Sequence, residues 1–188
     1  MVVIGPGSRA DLIAVRATWG LAVSDDGGRR FRFLCEDAFQ YIDGYDPTIA
    51  INHAGVLLVG VPDGLQGTSD FCDPLRRDDL RGQHVVDLAT DATGRTVVAG
   101  VMSSDAEPVT RIARSSDGGG RFELSQDTWT NAEPLTVEVA PGDARRAYAT
   151  IRVRGDGSLV FARSDDGAAR WRRTAARFSG AGGAYIAG

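Results

Sequence analysis

The sequence contains no lysine; all 21 of its basic residues are arginine, which reads as the coding bias of a GC-rich genome rather than as chemistry. Set against 25 acidic residues this leaves a net charge of −4. Such a chain lacks the basic footprint with which a nucleic-acid binder displaces counterions. Long apolar runs are missing too. The longest lies around Val56–Val61, far short of the ~18 residues that cross a membrane. The opening residues Met1 to Gly7 have neither a basic n-region nor a long apolar h-region, so no export signal is expected there. No stretch keeps a helical period. The one helix candidate, Pro74–Gln83, is short and charged and reads as a loop.

Metal and nucleophile signatures are equally scarce. His53 and His84 are the only histidines, and neither has the carboxylate or cysteine spacing of a zinc site. The calcium-loop spacing Asp-x-Asp-x-Asp-Gly is absent, so Asp25/Asp26 and Asp165/Asp166 read as turn residues rather than cation ligands. No Gly-x-Ser-x-Gly elbow marks a nucleophilic serine. Nothing in the chain calls for a cofactor.

What the chain has in excess is glycine, 24 residues against an average share of roughly 7%. The glycines follow no three-residue period, which excludes collagen and implies many turns. One turn-like octad recurs. It runs Ser24-Asp25-Asp26-Gly27-Gly28-Arg29-Arg30-Phe31, then Ser115-Ser116-Asp117-Gly118-Gly119-Gly120-Arg121-Phe122, then Ser164-Asp165-Asp166-Gly167-Ala168-Ala169-Arg170-Trp171. The second spacing is about half the first, which places a weakened copy at Thr68-Ser69-Asp70-Phe71-Cys72-Asp73, reduced to its Ser-Asp start. In each octad the Asp carboxylate accepts backbone N–H groups, the fifth-position Gly supplies a positive φ, and the aromatic drops into the layer below. Burying the ring contributes about 2–3 kcal/mol and each hydrogen bond about 1.

Alternating, β-branched segments precede the octads, and four four-stranded units can be drawn. The first takes Val2–Ile4, Ile13–Thr18, Leu21–Ser24 and Phe31–Leu34. The second takes Thr48–Ile51, Val56–Val61, Leu65–Thr68 and a poorly defined strand near Leu75. The third takes Val85–Ala89, Thr96–Val101, Thr110–Arg114 and Arg121–Leu124. The fourth takes Leu135–Val139, Ala147–Val153, Leu159–Ala162 and Arg170–Arg173, and a fifth begins near Ala184. A period near 45 residues with four strands per unit predicts an all-β propeller. The blades span approximately 1–35, 47–80, 83–125 and 134–175. Four blades and a start do not make a usual ring, so a piece of a longer propeller is expected.

The octads resemble the Asp-box, or BNR repeat, of sialidase-like propellers, matching it at Ser24, Asp26, Gly28, Phe31, Ser115, Asp117, Gly119, Phe122, Ser164, Asp166 and Trp171. The seventh position is Arg in all three copies, where that family often has Thr. The run from Arg16 through Gly28 also resembles uncharacterised BNR-repeat proteins of myxobacterial type. The resemblance implies structural boxes joining the third and fourth strands of each blade. It also implies one of two activities. The first is a non-catalytic, extracytoplasmic binding or assembly module for a protein or glycan ligand, in the manner of photosystem II stability/assembly factor-like proteins. Its long loops would be Glu36–Asp46, Ser69–Gln83 and Ser103–Pro108. The second is a sialidase-type glycoside hydrolase, whose Arg triad grips a carboxylate and whose nucleophile is a Tyr/Glu pair. Arg16 lacks the Arg-Ile-Pro setting of that family, and Glu36, Asp37, Tyr41 and Tyr45 are not organised into a pair, so no catalytic residue is assigned. Cys35 and Cys72 fall near the outer rims of adjacent units, open either to a disulfide, which needs an oxidising compartment, or to two buried thiols. Trp19 and Trp129 offer only a weak case for a sugar-stacking platform.

Overall fold

The computed structural model describes residues 1–17, 20–34, 39, 46–71 and 75–175, without the side chains of 75–78. Cys35, Cys72, Trp19, Glu36, Asp37, Tyr41, Tyr45 and the segment near Ala184 lie outside the described residues. Four antiparallel sheets follow one another along the chain, the architecture of a partial β-propeller. Sheet 1 is built in order from β1 (Val2–Ile4), β2 (Ile13–Ala17), β3 (Gly20–Ser24) and β4 (Arg32–Leu34). Sheet 2 holds β5 (Thr48–Ile51), β6 (Leu57–Val61), β7 (Gly64–Thr68) and β8 (Leu75–Arg77). Sheet 3 holds β9 (Gln83–Thr90), β10 (Val97–Ser103), β11 (Val109–Ser115) and β12 (Glu123–Leu124), with β13 (Trp129–Thr130) also paired to β11. Sheet 4 holds β14 (Ala132–Val139), β15 (Ala147–Val153), β16 (Leu159–Ser164) and β17 (Arg172–Arg173). The Pro74–Gln83 stretch contains β8 and a 3-10 turn at Asp78–Leu80.

Because strand side chains alternate, each sheet has two faces, and each sheet lays its first face on the second face of the sheet before it. Three apolar clusters result. Ala14, Leu21 and Val23 of sheet 1 meet Ile49, Ile51 and Val59 of sheet 2. Leu58 and Leu65 of sheet 2 meet Leu88, Val97 and Ala99 of sheet 3. Val98 and Ile112 of sheet 3 meet Val137, Ala149 and Ala162 of sheet 4. The hydrophobic core is therefore a series of inter-sheet layers, and burial of any residue depends on a neighbouring sheet.

The octads connect the third and fourth strands of sheets 1, 3 and 4 and share one hydrogen-bond circuit. The fifth-position N–H donates to the serine hydroxyl at 2.9 Å for Gly28, 2.8 Å for Gly119 and 2.9 Å for Ala168. That hydroxyl donates to the Asp carboxylate of Asp26, Asp117 or Asp166 at 2.7–2.9 Å. The same carboxylate oxygen accepts the next two N–H groups, from Arg29 and Arg30, Gly120 and Arg121, or Ala169 and Arg170. The fourth-position N–H of Gly27, Gly118 or Gly167 donates to a carbonyl just before the unit's second strand. In sheet 2 the circuit starts one residue earlier than the Ser-Asp start suggests. Thr68 takes the serine's place, donating to Asp70 and accepting the Phe71 N–H, and Phe71 itself adopts φ 62°.

The fifth position is left-handed in every full octad, at φ 87° for Gly28, 86° for Gly119 and 68° for Ala168. A Cβ on Gly119 would meet Leu58 Cδ1 at 3.0 Å, whereas a Cβ on Gly28 finds nothing closer than 3.4 Å. Gly119→Ala is therefore expected to lose about 2–3 kcal/mol in urea unfolding, backbone strain plus overpacking, and Gly28→Ala only about 1 kcal/mol. Equal losses would show that the contact with sheet 2 does not matter.

One expectation is overturned. Phe122 and Trp171 are buried, each 7% exposed, but Phe31 is 48% exposed. Phe122 and Trp171 pack into the layer beneath the preceding sheet, and sheet 1 has no preceding sheet among the described residues. The same holds for the hydrogen bonds of these residues. The Phe122 N–H donates to Asp79 Oδ2 of the region following sheet 2 at 3.0 Å, and the Trp171 N–H donates to Asp127 Oδ2, between β12 and β13 of sheet 3, at 2.7 Å.

Candidate functional site

The octad carboxylates are tied to their own turns. Hydrogen bonds hold all three below the usual carboxylate range: chiefly the Arg30 N–H for Asp26, the Ser115 hydroxyl for Asp117 and the Arg170 N–H for Asp166. Each circuit occupies the end of the sheet between its two outer strands, so the three sites stay one per sheet and do not converge. The Ser hydroxyls donate to an Asp oxygen that already accepts two backbone N–H groups, an arrangement that fixes a turn.

Beside the octads of sheets 3 and 4 the surface is rich in guanidinium groups. Asp165 is held down to about 2 by Arg172 and Arg163, and Arg146 Nε approaches it at 3.4 Å. Arg114 pairs with Glu123 at 3.0 Å. Shallow clefts of about 210 and 230 Å³ open here, the first between Arg114 and Arg170, the second between Arg163 and Trp171. They are polar, and Arg114, Arg163 and Arg172 in them are already engaged by carboxylates.

A different constellation sits on the first strands of the sheets. Asp87 of β9 is half-buried between its neighbours. Its Oδ1 accepts the Thr48 hydroxyl from β5 at 3.2 Å, and its Oδ2 accepts the Val137 N–H from β14 at 2.7 Å. Thr48 Oγ1 in turn accepts the Leu88 N–H at 3.1 Å. One carboxylate thus joins three sheets, at the place where β14 bulges between Pro134 and Thr136. Burial pushes the Asp87 carboxyl up, opposed by its hydrogen bonds and by the charge of Arg16. Burial and the negative charge of Asp87 push Glu138 up as well. Arg16, on β2, reaches the carbonyls of Asp46 and Pro47 at 3.4 Å and the Asp46 carboxylate at 4.0 Å. Two acids with raised proton affinity and one guanidinium therefore share the inner-strand side of the sheets, which is where acid–base chemistry would be sought.

Of the residues singled out in the sequence, the structure brings Arg16 towards this cluster and leaves the octads apart from it. His53 lies in a turn where Asn52, 4% exposed, is the working residue. Asn52 Oδ1 accepts the Ala54 and Val56 N–H groups, and its Nδ2 donates to the Gly118 carbonyl of the sheet 3 octad at 2.6 Å. Trp129 packs against the layer between sheets 3 and 4 rather than forming an open platform. No group of three or more His, Cys, Asp or Glu among the described residues could hold a metal ion, and no described helix is long and apolar enough to cross a membrane. Asp87, Thr48, Asp79 and Asp127 carry no local motif; each works on a partner about 40 or more residues away in sequence.

No family model matches the chain, and no curated protein matches it. Solved structures do. A GH74 xyloglucanase from Xanthomonas campestris superposes with a TM-score of 0.61 at 15% identity, over 92% of this chain and 29% of the enzyme. A Hadza microbial sialidase gives 0.58 at 15% identity, over 93% of this chain and 45% of that one. The extracellular domain of a one-component system from B. thetaiotaomicron gives 0.57 at 13% identity, over 92% and 21%. The chain thus spans less than half of each of these proteins. At such identities the likeness shows the fold alone, that of a β-propeller.

Proposed function

We propose that the chain is a non-catalytic binding or assembly module of the BNR type. Its octads serve as structural Asp-box turns, and it acts outside the cytoplasm on a protein or glycan ligand. The observation that carries this is the use of Asp87. The acid best placed for chemistry spends one oxygen on Thr48 and the other on the Val137 N–H, so it acts as a clamp between sheets. The octad acids are likewise consumed by their own turns. An extracytoplasmic setting is supported by the resemblance to secreted propellers and by the extracellular domain among the structural relatives. Thiol titration under denaturing, non-reducing conditions tests it. A Cys35–Cys72 disulfide supports an oxidising compartment, and two free thiols remove that support.

A second reading, a sialidase-type glycoside hydrolase, is favoured by one observation: Asp87 and Glu138 both hold their protons more tightly than usual, beside Arg16. Paired carboxyls of unequal environment are the equipment of glycoside hydrolysis. The two readings separate on a fluorogenic sialoside and a xyloglucan oligosaccharide. The binding module shows no turnover above a Glu138→Gln control. Turnover that Glu138→Gln abolishes without changing the melting temperature would make the chain an enzyme.

A further inference from the structure

The seventh octad position is arginine in all three copies, Arg30, Arg121 and Arg170. The turn uses only its backbone N–H, which donates to the octad carboxylate at 2.9–3.0 Å. In sheets 3 and 4 the next residue is fixed as well, since Asp79 and Asp127 accept the Phe122 and Trp171 N–H groups. Arg121 and Arg170 therefore project from pinned backbone. Their guanidinium groups make no ion pair among the described residues, whereas Arg114, Arg163 and Arg172 each hold a carboxylate.

Two clefts bring these groups together. One, of about 130 Å³, lies between Arg121 and Arg114, and the other, of about 210 Å³, between Arg114 and Arg170. Arg114 and Glu123 line both, so the clefts adjoin as one groove across the octad ends of sheets 3 and 4. Three guanidinium groups face two carboxylates there. Asp117 is spent on its own turn, where its Oδ1 accepts the Ser115 hydroxyl and the Gly120 and Arg121 N–H groups. Glu123 pairs with Arg114 at 3.0 Å, but its side chain is 70% exposed, and an ion pair so open to water holds weakly. A carboxylate thus already fits on Arg114, and it belongs to a side chain able to swing out.

We propose that this groove binds an acidic polysaccharide, a chain of sugars bearing carboxylates. Arg121, Arg114 and Arg170 take the carboxylates, and Glu123 occupies Arg114 until the ligand displaces it. A guanidinium presents its N–H groups as a fork that matches a carboxylate. Each cleft is smaller than the ~300 Å³ of a pocket that encloses a small molecule, so each takes one unit of an extended chain. Leu124 in the second cleft, 36% exposed, offers an apolar patch to a sugar ring, and Gln126 offers an amide to its hydroxyls. No lining residue of either cleft is aromatic, so nucleobases find no ring to stack on. The net charge of −4 does not oppose this, because physiological salt screens charges beyond ~8 Å. The inference rests on the binding-module reading and names its ligand class.

Calorimetric titration of the full chain tests it. Oligogalacturonate, with one carboxylate per sugar, is expected to bind, more weakly as salt rises, and its methyl ester not to bind. Arg121→Gln and Arg170→Gln are each expected to weaken binding about tenfold without lowering the melting temperature. Arg121→Lys or Arg170→Lys, which keeps the charge and loses the fork, replaces a variant that melts early and is expected to weaken binding too. Glu123→Gln is expected to tighten binding about threefold by releasing Arg114. Glu107→Gln, between β10 and β11, changes the net charge equally and is expected to leave binding unchanged. Equal binding of acid and ester, arginine variants that bind like the wild type, or a Glu123→Gln gain no larger than that of Glu107→Gln would each overturn the proposal. So would tighter binding of poly-glutamate or single-stranded DNA, which would assign the groove to another partner. None of these titrations reads sialoside turnover or thiol oxidation. Failure here removes this ligand and leaves the functional reading standing, whereas turnover abolished by Glu138→Gln removes that reading and not the groove.

Discussion

Truncating Trp171 to alanine is expected to cost about 3–5 kcal/mol of unfolding free energy, and Phe122→Ala nearly as much, whereas Phe31→Ala costs well under about 1 kcal/mol. The three residues hold the same place in the octad, so local sequence predicts equal losses. The difference comes from the neighbouring sheet. Trp171 seals the layer between sheets 3 and 4, and its indole N–H donates to the Ala168 carbonyl at 3.1 Å. Phe122 seals the layer between sheets 2 and 3. Phe31 has no such layer among the described residues and remains half exposed. Urea unfolding of the three single variants makes the comparison. Equal losses at all three positions would mean that the octad aromatics work within their own sheet.

The second large effect is expected at Asp87. Asp87→Ala leaves the Val137 N–H and the Thr48 hydroxyl without their acceptor in a half-buried setting, at a cost of about 2–4 kcal/mol. In a chain of this size that is roughly 5–15 °C in Tm. Asp87→Asn behaves differently. Its amide oxygen can still accept the Val137 N–H, its NH2 can donate to Thr48 Oγ1, and no charge is buried. The pH dependence follows from the direction of the shift. Asp87 binds its proton more tightly folded than unfolded, so its contribution to stability is full below the unfolded value near 4 and is lost as pH rises through the folded value. Asp87→Asn cannot lose a proton. Its stability relative to the wild type should therefore increase from below about pH 4 towards neutrality, and at pH 7 it equals or exceeds the wild type. The octad acids run the other way. Their lowered affinity for protons means that their contribution is present above the unfolded value and lost as pH falls. An Asp87→Asn variant as damaged as Asp87→Ala would show that the negative charge, not the hydrogen bonds, holds the sheets together.

The octads were legible because their chemistry is local. A serine, an aspartate and a left-handed residue at fixed offsets make a turn whatever lies around it, and strands follow from alternation on either side. The copy in sheet 2 was legible only in part, since Thr68 replaces serine and Phe71, not glycine, takes the positive φ, which shortens the circuit. β13 escaped because a two-residue edge pairing has no period to read. The exposure of Phe31 is not written in its octad, because burial of an octad aromatic is a property of the preceding sheet. Asp87, Asp79 and Asp127 were invisible for the same reason. Each is a single acid in an ordinary polar context, and only the register between sheets gives it a partner.

Sheets 3 and 4 are each fastened to the sheet before through these long-range acceptors. Amide hydrogen exchange resolved at Phe122 and Trp171 tests that most directly. Both amides should exchange slowly in the wild type; Asp79→Ala should release Phe122 alone and Asp127→Ala should release Trp171 alone. Fast exchange at both sites in the wild type, or protection indifferent to the loss of Asp79 and Asp127, would contradict it.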